Sequence, residues 1–247
     1  MTIISEERPS DSPYIETVTR GYTASAGSTI RPAENHWHMV FTRVHGRRLP
    51  ILVGPLRSAG VIAWGEGAEI LWIRFAAGTF MPHLPITRLR DAETTLPDAT
   101  GRAFWLKSAA WQFPDYDNAE TFVEWLVRDE VLVHDPVVSA ALQGQPQALA
   151  PRTVRHRFLQ ATGLTQSHIH QVERAQQARA LLERGMSILD VVYEAGYFDQ
   201  PHLTRALRQF VGYTPAQIIR MSQPACHSVQ DSHPDLDYHT NVLTNNR

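Results

Sequence analysis

Gln200, His202, Arg205, Arg208 and Gln209 recur at spacings that gather them on one side of a predicted helix, opposite Leu203, Leu207 and Phe210. Side chains of these types are equipped to recognise rather than to react. A guanidinium can donate two hydrogen bonds to one guanine edge, and a glutamine amide can pair with adenine. Further arginines neutralise phosphates and fix register without reading sequence. A helical hairpin with a polar outer face and no partner carries the same pattern, so spacing alone leaves both readings open.

The elements that must position this face lie directly upstream. Ser187-Ile188-Leu189-Asp190 has the spacing of a capping box, in which the Ser side chain accepts from an early backbone N–H and the Asp reaches back. Ile188, Val191, Val192 and Ala195 then form one apolar face. Gly196, without a Cβ, can take the left-handed turn that ends this helix. Asp199 is placed to cap the next helix, with Pro201 in its first turn. Two short helices joined at a glycine, the second presenting Arg, Gln and His outward, make a helix-turn-helix.

The stretch from Gly185 to Arg220, GMSILDVVYEAGYFDQPHLTRALRQFVGYTPAQIIR, resembles the signature of the AraC/XylS family of bacterial regulators. The matching positions are Ala195-Gly196-Tyr197, Asp199-Gln200, Leu203-Thr204-Arg205, Phe210, Gly212 and Thr214-Pro215. The resemblance covers about residues 147–220 and implies two helix-turn-helix units joined by one long helix. Arg152 to Phe158 resembles the first reader helix, with Val154, Phe158 and Ala161 inward, Arg152 and His156 outward, and Arg155 at the flank. Gly163-Leu164-Thr165 resembles the break before the linker, which is expected from about Gln166 to Glu183 on Ile169, Val172, Ala175, Ala178 and Leu182. By position, the resemblance assigns base reading to Arg152, Arg155, His156, Gln200, His202 and Arg205, and phosphate contact to Arg157 and Arg208. Gln209 joins the same DNA-facing set.

Two departures concern the first unit. Gly144-Gln145-Pro146 falls where its positioning helix should run, and Ala150 occupies a cap position where the family often has Ser. The first positioning helix is therefore expected to be shortened or displaced. The partners that the resemblance implies are double-stranded DNA, a small-molecule effector, RNA polymerase and a second copy of the chain.

The first half reads differently. His38 to Val44 and Glu69 to Phe75 are β-branched and aromatic-rich, and Gly46, Gly54-Pro55, Gly65 and Gly67 punctuate them. Short strands divided by turns suggest a small barrel or sandwich, or a cupin-like barrel. On a strand His36 and His38 face the same side, and with His83 they are candidates to hold a divalent metal. A metal-dependent cupin-like enzyme with a helical appendage is thus the competing reading. Trp37, Trp64 and Trp72 are candidates to line an effector pocket, although large aromatics more often fill cores. No nucleophile elbow, phosphate loop, cofactor motif or spaced acid pair is present, so the first reading is not that of an enzyme.

Charge distribution hints at a nucleic-acid contact, although charge by itself fits a solvated basic helical surface better. Residues 1–150 carry 13 basic and 17 acidic side chains, whereas residues 151–220 carry nine arginines against five acids. Cys226 is the lone cysteine, which excludes an intramolecular disulfide and a multi-cysteine metal site. No stretch approaches the ~18 apolar residues of a membrane span, and the N-terminus lacks the features of a secretion signal. A cytoplasmic setting is expected. The fold expected is α+β: a flexible arm over 1–13, a β-rich sensing or dimerisation domain over 14–116, a helical connector over 117–146, an all-α helix-turn-helix domain over 147–220, and a disordered tail over 221–247.

Overall fold

A computed structural model describes residues 3–146 and 148–222. The expected tail beyond Ser222, including Cys226, lies outside the described residues, as do Met1, Thr2 and Gln147. The strands are β1 (Ile3–Pro9), β2 (Ile15–Thr23), β3 (Gly27–Arg31), β4 (His38–Val44), β5 (Arg47–Val53), β6 (Gly60–Trp64), β7 (Glu69–Phe75), β8 (Thr79–Phe80), β9 (Glu93–Thr95), β10 (Ala103–Leu106), β11 (Ala109–Gln112) and β12 (Val133–His134). The helices are α1 (Ala119–Arg128), α2 (Pro136–Leu142), α3 (Pro151–Thr162), α4 (Gln166–Glu183), α5 (Ile188–Glu194), α6 (Gln200–Phe210) and α7 (Pro215–Ser222). A β-rich domain is followed by an all-α domain, as the sequence pattern requires.

The main sheet is antiparallel, in the order β1-β2-β7-β4-β5-β9, and is open at β1 and β9. Alternation along β7 sends Leu71, Ile73 and Phe75 into the principal core, while Ile70 and Trp72 join Val40, Ile51 and Val53 on the other face. α1 covers the principal core with Phe122, Val123 and Leu126, and the β10–β11 hairpin adds Phe104, Leu106 and Trp111. Separate two-stranded antiparallel pairings, both between strands distant in sequence, join β3 to β6 and β8 to β12.

Two expected boundaries change. Ile3–Pro9 is a full antiparallel partner of β2, from Ile3 opposite Thr23 to Pro9 opposite Thr17, and not a loose arm. Arg8 fastens this strand to α1 through the Glu120 carboxylate, and donates to the Tyr116 carbonyl at 2.7 Å. An edge strand is held by backbone pairing, and β1 is largely exposed, so apolar periodicity has nothing to register there. The segment 117–146 also does not act as one connector. α1 belongs to the core of the β-rich domain, whereas Val138 and Ala141 of α2 pack with Phe158, Ala161, Leu164 and Ile169.

α4 ties two cores together. Its first turn contributes Ile169 to the α2–α3 core, and Val172, Ala175, Ala178 and Leu182 build a second core with α5, α6 and α7. Leu203 and Leu207 are fully buried there, each worth roughly 1.5–3 kcal/mol of transfer free energy.

The β-rich domain grips the helical domain at the end of α6. The Ala33 N–H donates to the Phe210 carbonyl at 2.7 Å, and the Ala59 N–H donates to the Gln209 carbonyl at 2.8 Å. These are carbonyls of the last helical turn, which has no later N–H of its own helix to meet. Gln176 of α4 donates from Nε2 to the Ala33 carbonyl at 3.2 Å, and Ala33 is buried within the second helical core. Gly212 permits the approach. Its φ of +88° and the Ile30 side chain, 2.3 Å from where a Cβ would stand, together exclude other residues.

Candidate nucleic-acid interface

α6 is fixed at its start, along one side and at its end. Asp199 caps it, the carboxylate accepting from the His202 N–H at 2.6 Å. Leu203, Ala206, Leu207 and Phe210 are buried, and Gln200, Arg205, Arg208 and Gln209 are exposed on the remaining surface. The turn before it forms as the sequence predicts, with Gly196 at φ +65°. The cap of α5 differs in detail. The Asp190 N–H donates to the Ser187 Oγ at 3.2 Å, and that hydroxyl donates to the Asp190 carboxylate at 2.6 Å, so the acid meets the side chain of Ser187 instead of its backbone.

Not every candidate on α6 presents itself alike. His202 is half-buried, its ring set edge-on to Tyr197 with centroids 5.1 Å apart and its Nδ1 3.5 Å from the Phe198 N–H. It braces the turn. Gln209 lies in the last turn, where its carbonyl is held by Ala59, so it is far from the N-terminal end that reaches base edges in a helix-turn-helix. Phe198, directly before the cap, is 91% exposed and was not singled out by pattern, because an exposed aromatic carries no periodicity.

Helices stand at both positions expected for the first unit, α2 and α3. α2 is a complete helix of two turns capped by Asp135, which accepts from the Val137 N–H at 3.0 Å. It ends before Gly144, so the expected shortening takes the form of a long loop between α2 and α3. α3 starts on Pro151 without a side-chain cap from Ala150. Arg152, Arg155 and His156 are exposed, and Gln160 extends the outward row of Arg152 and His156 at four-residue spacing.

Arg157 has a partner within the protein that its spacing does not announce. Its guanidinium forms two 2.7 Å hydrogen bonds with the Asp135 carboxylate and is half-buried. A side chain so engaged ties α3 to the cap of α2. By contrast Arg152, Arg155, Arg205 and Arg208 have no hydrogen bond or ion pair with any other described residue. Each is an exposed cation whose charge is uncompensated locally.

Residues 148–221 match a family described as a helix-turn-helix domain. This segment is an AraC-type helix-turn-helix domain. The match spans α3 to α7, and so includes both outward rows, while α2 lies before it. The chain is also similar over part of its length to a curated relative, the HTH-type transcriptional regulator RipA of Corynebacterium glutamicum, with 33% identity over 89 residues. That alignment takes in 35% of this chain and 27% of the relative, so the chain spans about a quarter of that protein's length. No solved structure matches the chain.

The metal candidates are not assembled. His36 Nδ1 lies 3.0 Å from Glu34 and its Nε2 lies 3.2 Å from Glu16, while His38 is buried beside Glu34 and Arg74. His83 lies elsewhere, beside Leu84 and Lys107. Among the described residues no group of three or more His, Cys, Asp or Glu side chains has an arrangement suited to a metal ion. Burial drives His38 down to about 3, against the pull of Glu34. Burial pushes Glu34 upward, but the His36 hydrogen bond and the charges of His38, His36 and Arg74 outweigh it and hold the carboxyl at about 2.

The tryptophan candidates are also placed elsewhere than expected. Trp37 is core, stacked on Phe75 at 4.0 Å with its Nε1 donating to the Thr79 carbonyl. Trp64 donates to the Ser25 carbonyl, and Trp72 packs over Gly21. None of the three lines the cavity of about 570 Å³ that opens between β1, β2, β7, β4 and the Phe113–Tyr116 segment. Phe41, Phe113, Tyr22 and Tyr116 form its aromatic walls. No helix among the described residues is long and apolar enough to cross a membrane.

Proposed function

We propose that this chain is a sequence-specific DNA-binding transcription regulator that inserts α3 and α6 into neighbouring major-groove faces. The observation that carries this reading is the pair of outward arginine sets, Arg152 with Arg155 and Arg205 with Arg208, each without an ion pair among the described residues and each opposite a buried core. α4 joins the two units with 18 residues, about 27 Å of helix, a length comparable to the ~34 Å between successive major-groove faces on one side of the duplex. Gln200, at the start of α6, and His156, outward on α3, are the amide and imidazole best placed beside them to meet base edges.

Binding of the purified chain to a duplex recovered from a random pool tests this reading. Each phosphate that the chain neutralises contributes about −0.9 to the slope of log affinity on log salt, so affinity is expected to fall steeply with salt, and removing all four arginines is expected to flatten that slope and to lose the selected sequence. Affinity that ignores salt, or no recovered duplex at all, contradicts the reading.

A small molecule gates this activity, in the same proposal. Supporting it, the aromatic cavity and the junction with α6 lie toward opposite ends of β2, β7 and β4. Thr42 borders the cavity and His38 borders Glu34, four residues or about 13 Å apart along one strand. The strap from Ala33 to Asn35 then reaches α6 and α4 directly. A compound that raises the unfolding temperature and changes DNA affinity, and does neither after Phe113→Ala, is the expected result. Self-association and contact with RNA polymerase belong to the same reading, and sedimentation and run-off transcription measure them.

A further inference from the structure

Phe198 occupies a position for which the fold has no structural use. The residue is 91% exposed, although a buried aromatic would add to the adjacent core. The backbone beneath it is fixed. Asp199 caps α6 immediately after it, the Phe198 N–H approaches the His202 Nδ1 at 3.5 Å, and the preceding Tyr197 is buried under Arg174, whose guanidinium lies 4.5 Å over the ring. A rigid seat thus projects an apolar ring at the N-terminal end of the reader helix.

We propose that Phe198 is a specificity-determining residue that packs against the C5-methyl group of a thymine in the major groove. The inference rests on the DNA-reading role of α6 and deepens it. In a helix-turn-helix the N-terminal end of the second helix approaches base edges, while the first helix crosses the backbone. The exposed Leu189 and Tyr193 belong to that first helix, α5, and Phe198 alone among the three stands at the reader's entry. The major-groove floor is lined by hydrogen-bonding groups, and its apolar feature is the thymine methyl. A phenyl ring next to Gln200, whose amide suits adenine, would read the A·T pair from its apolar side. This signal separates A·T from G·C without any polar atom of the side chain.

The test uses the full chain, a duplex it selects from a random pool, and deoxyuridine in place of each thymidine in turn, a change that removes only the methyl group. Burying one such group is worth about 0.8 kcal/mol, or roughly fourfold in affinity. At one thymine in the block read by α6, the wild-type chain loses about that factor, the Phe198→Ala variant loses nothing further, and Phe198→Leu keeps most of the sensitivity. Equal responses of wild type and Phe198→Ala at every thymine overturn the proposal. So does a uniform loss of affinity across all duplexes, which would mark a sugar-phosphate contact, or unchanged DNA binding with lost transcription, which would mark a protein partner. DNA reading itself stands in each of those outcomes. If the pool yields no selected duplex, that reading falls and this proposal with it.

Discussion

Arg157 and Asp135 are joined through two hydrogen bonds of 2.7 Å, and the same carboxylate caps α2 by accepting from the Val137 N–H. One acidic side chain therefore sets both the start of the first positioning helix and the angle at which α3 leaves it. Asp135→Ala removes a cap and strands a half-buried guanidinium, and is expected to lower stability by about 1–3 kcal/mol. Asp135→Asn, which keeps an acceptor for Val137, is expected to cost less. Urea unfolding measures both. Arg157→Ala is expected to reduce the salt slope of DNA binding by less than Arg152→Ala does, because its charge is already compensated.

The two arginines of α6 are expected to behave differently. Arg205→Ala loses about 1–3 kcal/mol of discrimination between cognate and altered sites, while Arg208→Ala weakens all duplexes alike and lowers the salt slope by about one. Competition binding with matched and mismatched duplexes separates the two. Equal effects of both substitutions on discrimination would remove the assignment of roles.

Hydrogen exchange reports directly on the junction at the end of α6. The amides of Ala33 and Ala59, bonded to Phe210 and Gln209, are expected to exchange slowly in the wild-type chain. Gly212→Ala forces a Cβ against Ile30 and Ala59 at a φ of +88°. It is expected to cost about 1–3 kcal/mol and to release both amides together. Exchange that is fast in both proteins would mean that the domains do not hold one another in this way.

Stability falls with acid in a defined window. His38, driven down to about 3 by burial beside Glu34, His36, Arg31 and Arg74, binds its proton more weakly in the folded than in the unfolded chain. The stability associated with keeping it neutral is complete above about pH 6.5 and is lost as the pH falls toward 3, with a slope near 1.4 kcal/mol per pH unit for one proton. Glu34 and Glu120, both held at about 2, add losses of the same sign only below about pH 4.5. His38→Gln is therefore expected to flatten the denaturation profile between pH 6.5 and 4.5. An unchanged profile would show that His38 does not carry it.

Much of the AraC-type domain was legible because its residues act locally. Asp199, Pro201 and Gly196 announce helix ends within a few positions, and the buried series on α4 follows the helical period. Residues whose roles depend on distant partners were not legible. Nothing in the spacing of Arg157 reveals that Asp135, 22 residues earlier, will claim it. The hold on α6 uses backbone amides of two alanines, which carry no side-chain signal. β1 escaped notice because its strand is stabilised by pairing and not by an apolar face. The tryptophans were ambiguous for the opposite reason: large aromatics mark a core more often than a pocket.

Selection of bound sites from a random duplex pool by the purified full chain bears most directly on the central claim. Two recognition blocks whose centres lie about 10 bp apart are predicted, with Arg152→Ala blurring one block and Arg205→Ala blurring the other. Recovery of a pool with no enriched sequence, or of one block affected by both substitutions alike, would contradict the account of α3 and α6 as paired readers.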